Sequence, residues 1–126
     1  MAVDTSALLA IVLDEPAADA CIAAMEAERD ILISGGTLAE ALLVAGQRGV
    51  DQALNYLVRG MPVTVVEVTE RRAHGVAAAH AAWGKGVHPA GLNFGDGFAD
   101  AIAADYGCPL LDVGDDFAQT SVVGAA

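Results

Sequence analysis

Ile31-Leu-Ile33, the glycine pair Gly35-Gly36 and then Val63-Thr-Val-Val-Glu-Val68 decide the fold class, together with what lies between them. Ile31-Leu-Ile33 is a compact apolar run of strand type, ended by the two glycines. Residues 37–47 carry a helical pattern that Gly49 stops, and residues 51–58 carry a second one closed by Gly60 and Pro62. Residues 63–68 are rich in β-branched side chains, which suit a pleated strand. Short apolar strands alternating with helices indicate a parallel sheet covered on both faces.

The flanks repeat the pattern. Ala2-Val3 ends at Asp4, and residues 6–13 read as a buried helix. Pro16 is expected to open a second helix that reaches about Ala27, because proline suits the first helical turn. Beyond the third strand, residues 69–83 are alanine-rich and helical, with an interruption expected at Gly75. Residues 84–95 form a glycine-punctuated loop, long for a compact domain. Asp96 is expected to start a helix that Gly107 stops, with Pro109 just beyond. Leu110-Leu111 is a short strand, residues 114–117 a turn, and Val122-Val123 a last edge strand. The expectation is one α/β domain over residues 1–126, a three-layer α/β/α sandwich on a central, mostly parallel sheet.

Composition narrows the function. At 55% hydrophobic and 18% charged, the chain is not of the disordered class. Its apolar runs fall far short of the roughly 20 residues that span a bilayer. The opening Met-Ala-Val-Asp lacks the basic start of a secretory signal. Cys21 and Cys108 fit neither a zinc spacing nor a disulfide framework, so reduced thiols in a cytoplasmic protein are expected. The net charge of −11 excludes a domain that grips nucleic acid mainly through its own cations. Contact with nucleic acid would need a local cation, and a bound divalent metal is the obvious one.

Four acidic positions fall where such a metal would sit. In open parallel sheets the working crevice lies beyond the carboxyl ends of the strands. Asp4 follows the first strand, Glu40 lies near the start of the helix after the second, and Asp96 opens the helix after the long loop. Asp115 or Asp116 follows Leu110-Leu111. Carboxylates gathered this way raise one another's pKa unless a cation lies between them. Oxygen-only ligands suit Mg²⁺ or Mn²⁺ and not zinc. Each residue also has an ordinary structural use. Thr37-Leu-Ala-Glu40 fits a capping box, Asp4 and Asp96 fit N-caps, and Asp115 and Asp116 fit a turn.

Val3-Asp4-Thr5-Ser6-Ala7, Leu38-Ala-Glu40, Gly91-Leu-Asn-Phe-Gly-Asp96 and Pro109-Leu-Leu-Asp-Val-Gly-Asp-Asp-Phe117 with Thr120 resemble the PIN domain. Their order and spacing are similar to those of the VapC-type toxins of bacterial toxin–antitoxin pairs, over the whole chain. The resemblance implies a Mg²⁺- or Mn²⁺-dependent endoribonuclease, dimeric, and held inactive by a cognate VapB-type antitoxin. It matches Asp4, Glu40 and Asp96 to the acidic residues of the site and Asp116 to the fourth acid, with Asp115 as its neighbour. Asp4, Asp96 and Asp116 would be metal ligands, and Glu40 would position the metal or the attacking water. Thr5 and Ser6 match the small hydroxyl residues beside the first acid. Asp100 departs from the pattern, because these toxins commonly carry a tyrosine or another uncharged residue there. One helical turn after Asp96, it reads either as an added acid supporting the site or as a solvated helix residue.

After Lys85 the chain has six acids and no Lys or Arg, so Arg71, Arg72, Lys85 and His88 are the candidates for contacts with RNA. Trp83 offers a stacking face, though a tryptophan at a helix end also serves packing. Two rival functions stand beside the nuclease. A receiver domain would need an Asp after the middle strand and a late Lys, but Glu67 follows Val66 and no Lys follows Lys85. A catalytically silent PIN-like module that binds RNA or protein would keep the acids and lose cleavage.

Overall fold

The computed structural model describes residues 1–89, 91–114 and 124. Four strands, β1 (Ala2–Val3), β2 (Ile31–Ser34), β3 (Val63–Val66) and β4 (Leu110–Leu111), form one sheet in the order β3-β2-β1-β4. Every pairing is parallel, with Ala2 opposite Leu32 on one side and Leu110 on the other. Among the described residues six helices connect them: α1 (Thr5–Val12), α2 (Ala18–Glu26), α3 (Gly35–Gln47), α4 (Asp51–Gly60), α5 (Glu70–Trp83) and α6 (Phe94–Tyr106).

The alternation of side chains along the strands builds two cores. Val3, Ile31, Ile33 and Leu111 pack with Leu8 of α1, Met25 of α2, Ala41 and Ala45 of α3 and Leu54 of α4. Ala2, Leu110 and Val66 pack with Ala99, Ile102 and Ala103 of α6 and with Leu92. The three-layer α/β expectation holds. Each large apolar side chain so buried contributes about 1.5–3 kcal/mol. Strand β3, at one end of the sheet order, is the exception to apolar strands covered on both sides, since its Thr64 and Val65 are exposed. No helix among the described residues is long and apolar enough to cross a membrane.

Several expected boundaries move. Pro16 lies in the turn ahead of α2, which begins two residues later. Gly35 and Gly36 do not break the chain but form the first turn of α3, with Ser34 as its N-cap. Gly36 is required there by proximity, because a Cβ would lie 2.5 Å from Cγ of the Phe98 ring. Gly75 continues α5 without interruption, and a Cβ there would meet Ala101 of α6 at 3.7 Å, an ordinary contact. Helix α6 starts at Phe94 rather than Asp96, so the loop is shorter than expected. Leu92 pins that loop, accepting from the Lys85 amide at 2.8 Å and donating to the Trp83 carbonyl at 2.9 Å. Gly107 ends α6 at φ 59°, a left-handed cap as its sequence implies. The expected turn at 114–117 and strand at Val122-Val123 lie largely outside the described residues, although Gly124 bridges Leu110 in parallel.

Candidate functional site

Asp4 hangs from the carboxyl end of β1, where its backbone amide donates to the Leu111 carbonyl at 2.9 Å. Its side chain caps α1. Oδ2 accepts from the Ser6 amide at 3.1 Å and from the Ser6 hydroxyl at 2.6 Å. Oδ1 is buried and has no hydrogen-bond partner among the described residues. Burial pushes the Asp4 carboxyl up from the ordinary value of 3.8; the Ser6 bonds oppose this, and the Glu40 charge adds to it. A cap would need only Oδ2, so the capping role leaves half of this carboxylate unexplained.

Ser6 also joins two ends of the chain. Its hydroxyl, while donating to Asp4, accepts from the Val113 amide at 3.0 Å. The exit of β4 is thereby clasped beside Asp4. Asp115 and Asp116 lie outside the described residues, and Val113 is where the described chain leads toward them. Thr5 ties α1 to α3 instead, its buried hydroxyl donating to the Thr37 carbonyl at 3.3 Å.

Glu40 has no capping box. Because α3 starts at Gly35, Thr37 lies inside the helix, fully buried, with an Oγ1 that has no partner among the described residues. The carboxylate of Glu40 rests against the backbone of Gly95, where a Cβ would come within 2.6 Å of Glu40 Cδ. Glu40, Gly36 and Ala39 line one side of a cleft of about 460 Å³, with Asn93, Phe94, Gly95 and Phe98 on the other. The structural alternative does hold at Asp96, in modified form. Asp96 sits third in α6 and completes a capping box, accepting from the Asn93 amide at 3.0 Å while its own amide donates to Asn93 Oδ1 at 3.0 Å. It is 5% exposed.

Glu40 thus bears on Asp4 by charge and abuts the residue next to Asp96. Among the described residues, no three His, Cys, Asp or Glu side chains gather closely enough to hold a metal ion. Asp100 does not read as a solvated residue. It is 8% exposed and lines a groove between α5 and α6, and burial raises its pKa.

The basic residues are spread out. Arg71 forms a two-pronged bond with Asp105 at 2.8 and 2.7 Å, and Arg72 Nε lies 3.4 Å from the same carboxylate. Asp105 lies nine positions after Asp96 on α6, about 13 Å along the axis. Lys85 is exposed in the loop, and His88 makes an edge contact with Trp83 at 4.9 Å. Trp83 is half-buried against the second core, so it packs. Sequence reasoning missed Phe94. It is 68% exposed, leans on Phe98 at 5.1 Å and lines the Glu40 cleft. An aromatic two residues ahead of a helix-starting acid was the available signal.

A family model described as PIN domain matches residues 1–123. Ribonuclease VapC30 of Mycobacterium tuberculosis is 38% identical over 130 residues, covering 100% of this chain and 98% of that protein. Among solved structures, the chain is similar to Mycobacterium tuberculosis VapC20, described as a Sarcin-Ricin loop cleaving toxin. The TM-score is 0.76 at 17% identity, over 97% of this chain and 95% of that one. It is also similar to a toxin-antitoxin complex from Klebsiella pneumoniae, with a TM-score of 0.72 at 19% identity over 99% and 97% of the two chains.

Proposed function

Because the chain belongs to the PIN domain family, and within it to the VapC group, we propose that it is an endoribonuclease toxin of a type II toxin–antitoxin pair, dependent on Mg²⁺ or Mn²⁺ and acting in the cytoplasm. The observation that carries this reading is the buried Oδ1 of Asp4, without a partner among the described residues, under the charge of Glu40. A hard divalent cation fits that donor chemistry, since it takes oxygen ligands and relieves both burial and repulsion. Asp4, Asp96 and Asp116 would hold the ion. When bound, it supplies Lewis-acid activation of water and neutralises charge at the phosphodiester.

The residues of the chain do the positioning. Ser6 fixes Oδ2 of Asp4 with two donors, leaving Oδ1 for the cation. Gly95 gives Glu40 the room to reach the cleft, where a carboxylate orients water for attack. Phe94 offers an exposed face on which a base stacks. Lys85 and His88 are the nearer suppliers of phosphate contacts in sequence, whereas Arg71 and Arg72 would first have to leave Asp105. The partners are a cognate VapB-type antitoxin and a second copy of the chain. An antitoxin Arg suits this site, because its planar fork binds two carboxylate oxygens at once.

The test is RNA cleavage by the purified protein, with Mg²⁺, with chelator, and after Asp96→Asn. Asparagine still accepts in the capping box, so the fold should survive with a change of about 1 kcal/mol or less. Cleavage should need Mg²⁺ and vanish in the variant. Cleavage retained by Asp96→Asn removes the assignment, and intact RNA under every condition favours the silent binding module.

A further inference from the structure

The groove between α5 and α6 lies outside the cleft just described. It has a volume of about 400 Å³ and is walled by Gly75, Ala78, Ala79 and Ala82 of α5 and by Ala101 and Ala104 of α6. Trp83 and Asp105 stand at its margins, and Asp100 lines it. As a residue Asp100 is 8% exposed, its carboxylate reaches the groove, and among the described residues no group hydrogen-bonds or pairs with it. The two cations at the start of α5 are already taken, since Arg71 and Arg72 both pair with Asp105. The histidines of α5 are elsewhere engaged or remote. His74 faces Glu70 at 4.0 Å, and the His80 ring lies against Gly84.

A carboxylate without a protein partner, opening into a groove lined with methyl groups, is an unbalanced arrangement. Leaving a charge there uncompensated is unfavourable, and a paired cation restores the balance. The walls decide which cation. A divalent metal needs several oxygen ligands, and this groove offers one free carboxylate among alanine methyls. A primary ammonium brings three donors on an alkyl stem that lies well along apolar surface. The tryptophan adds an aromatic flank suited to such a cation. A net charge of −11 raises the local concentration of any organic cation.

We propose that the α5–α6 groove binds a small alkylammonium ion, such as a diamine, with its charged end on the Asp100 carboxylate and its methylene chain along the alanine walls. The site is separate from the proposed nuclease cleft and does not rest on that activity.

Putrescine is the probe, titrated into the purified protein by calorimetry and followed by amide chemical shifts. One equivalent should saturate, with shifts centred on Gly75, Ala78, Ala101 and Ala104. Asp100→Asn should weaken binding about tenfold or more, as expected when one charge-assisted bond is lost. Asp51→Asn removes the same charge from the exposed start of α4 and should change the affinity less than about twofold. Equal weakening by the two variants would show diffuse charge attraction and overturn the proposal. Shifts centred on Glu40 and Asp96 of the unsubstituted protein would overturn it as well, whether or not Asp100→Asn folds.

Discussion

Gly95→Ala tests the geometry of the cleft by adding a single methyl group. A Cβ at this position would collide with the Glu40 carboxylate, coming within 2.6 Å of its Cδ. The obstacle is the free end of a flexible side chain, so the carboxylate moves and the backbone stays. Driving that side chain off its rotamer costs about 0.5–1.5 kcal/mol. Replacing glycine by alanine inside a helix returns about 0.5–1 kcal/mol. Stability should therefore change by about 1 kcal/mol at most, a shift in Tm of a few degrees. Activity should not be spared, because misplacing a positioning group by about 1 Å costs on the order of 100-fold. The assay is single-turnover RNA cleavage alongside thermal unfolding, repeated in a Glu40→Ala background. There the three nearest obstacles to the added methyl are gone, and it should leave residual activity and Tm unchanged or slightly raised. If Gly95→Ala keeps most of its activity, Glu40 is not held against Gly95 in the working enzyme, and its assigned role fails.

Three further outcomes follow from bonds and shifts already described. Ser6→Ala removes the donor to Asp4 Oδ2 and the acceptor of the Val113 amide; it should destabilise by about 2–4 kcal/mol in denaturant unfolding, and a loss under about 0.5 kcal/mol would contradict the clasp. Asp4 and Asp100 both have folded pKa values raised from 3.8. The folded state therefore binds more protons than the unfolded one just above 3.8, and their contribution makes metal-free stability fall as pH rises through that range. Asp4→Asn should flatten part of this decline, and an unchanged profile would refute it. Mg²⁺ and a basic antitoxin segment should compete for the acidic cluster, with antitoxin binding weakened but not abolished by salt; equal antitoxin affinity with and without saturating Mg²⁺ would argue against a shared site.

The four described strands were legible because each is a short run between breakers, although the third, expected to reach Val68, ends at Val66. The helix starts were less so. Ser34 competed with Thr37 as a cap, and only the packing of Phe98 over Gly36 shows why the glycines are helical. Asn93 likewise outcompeted Asp96 for the cap, turning the acid into its reciprocal partner. The candidate acids could be named from their places at strand ends and from the resemblance to PIN domains. Their unequal environments could not. Nothing in Asp4-Thr5-Ser6 indicates that, among the described residues, one carboxylate oxygen has two donors and the other none. The burial of Asp100 was hidden for a similar reason, since helical spacing relates it to Asp96 but not to the alanines of α5.

The Ser6–Val113 bond spans 107 positions, and β1 pairs with β4, which is made long after it. Time of synthesis then matters. A chain growing on the ribosome can carry Asp4, Glu40 and Asp96 while the strand flanking β1 and the amide held by Ser6 do not yet exist. Contacts this distant in sequence form late, after most of the domain is available. The carboxylate that follows β1 waits on the exit of β4, so its surroundings cannot be completed before residue 113 has been made.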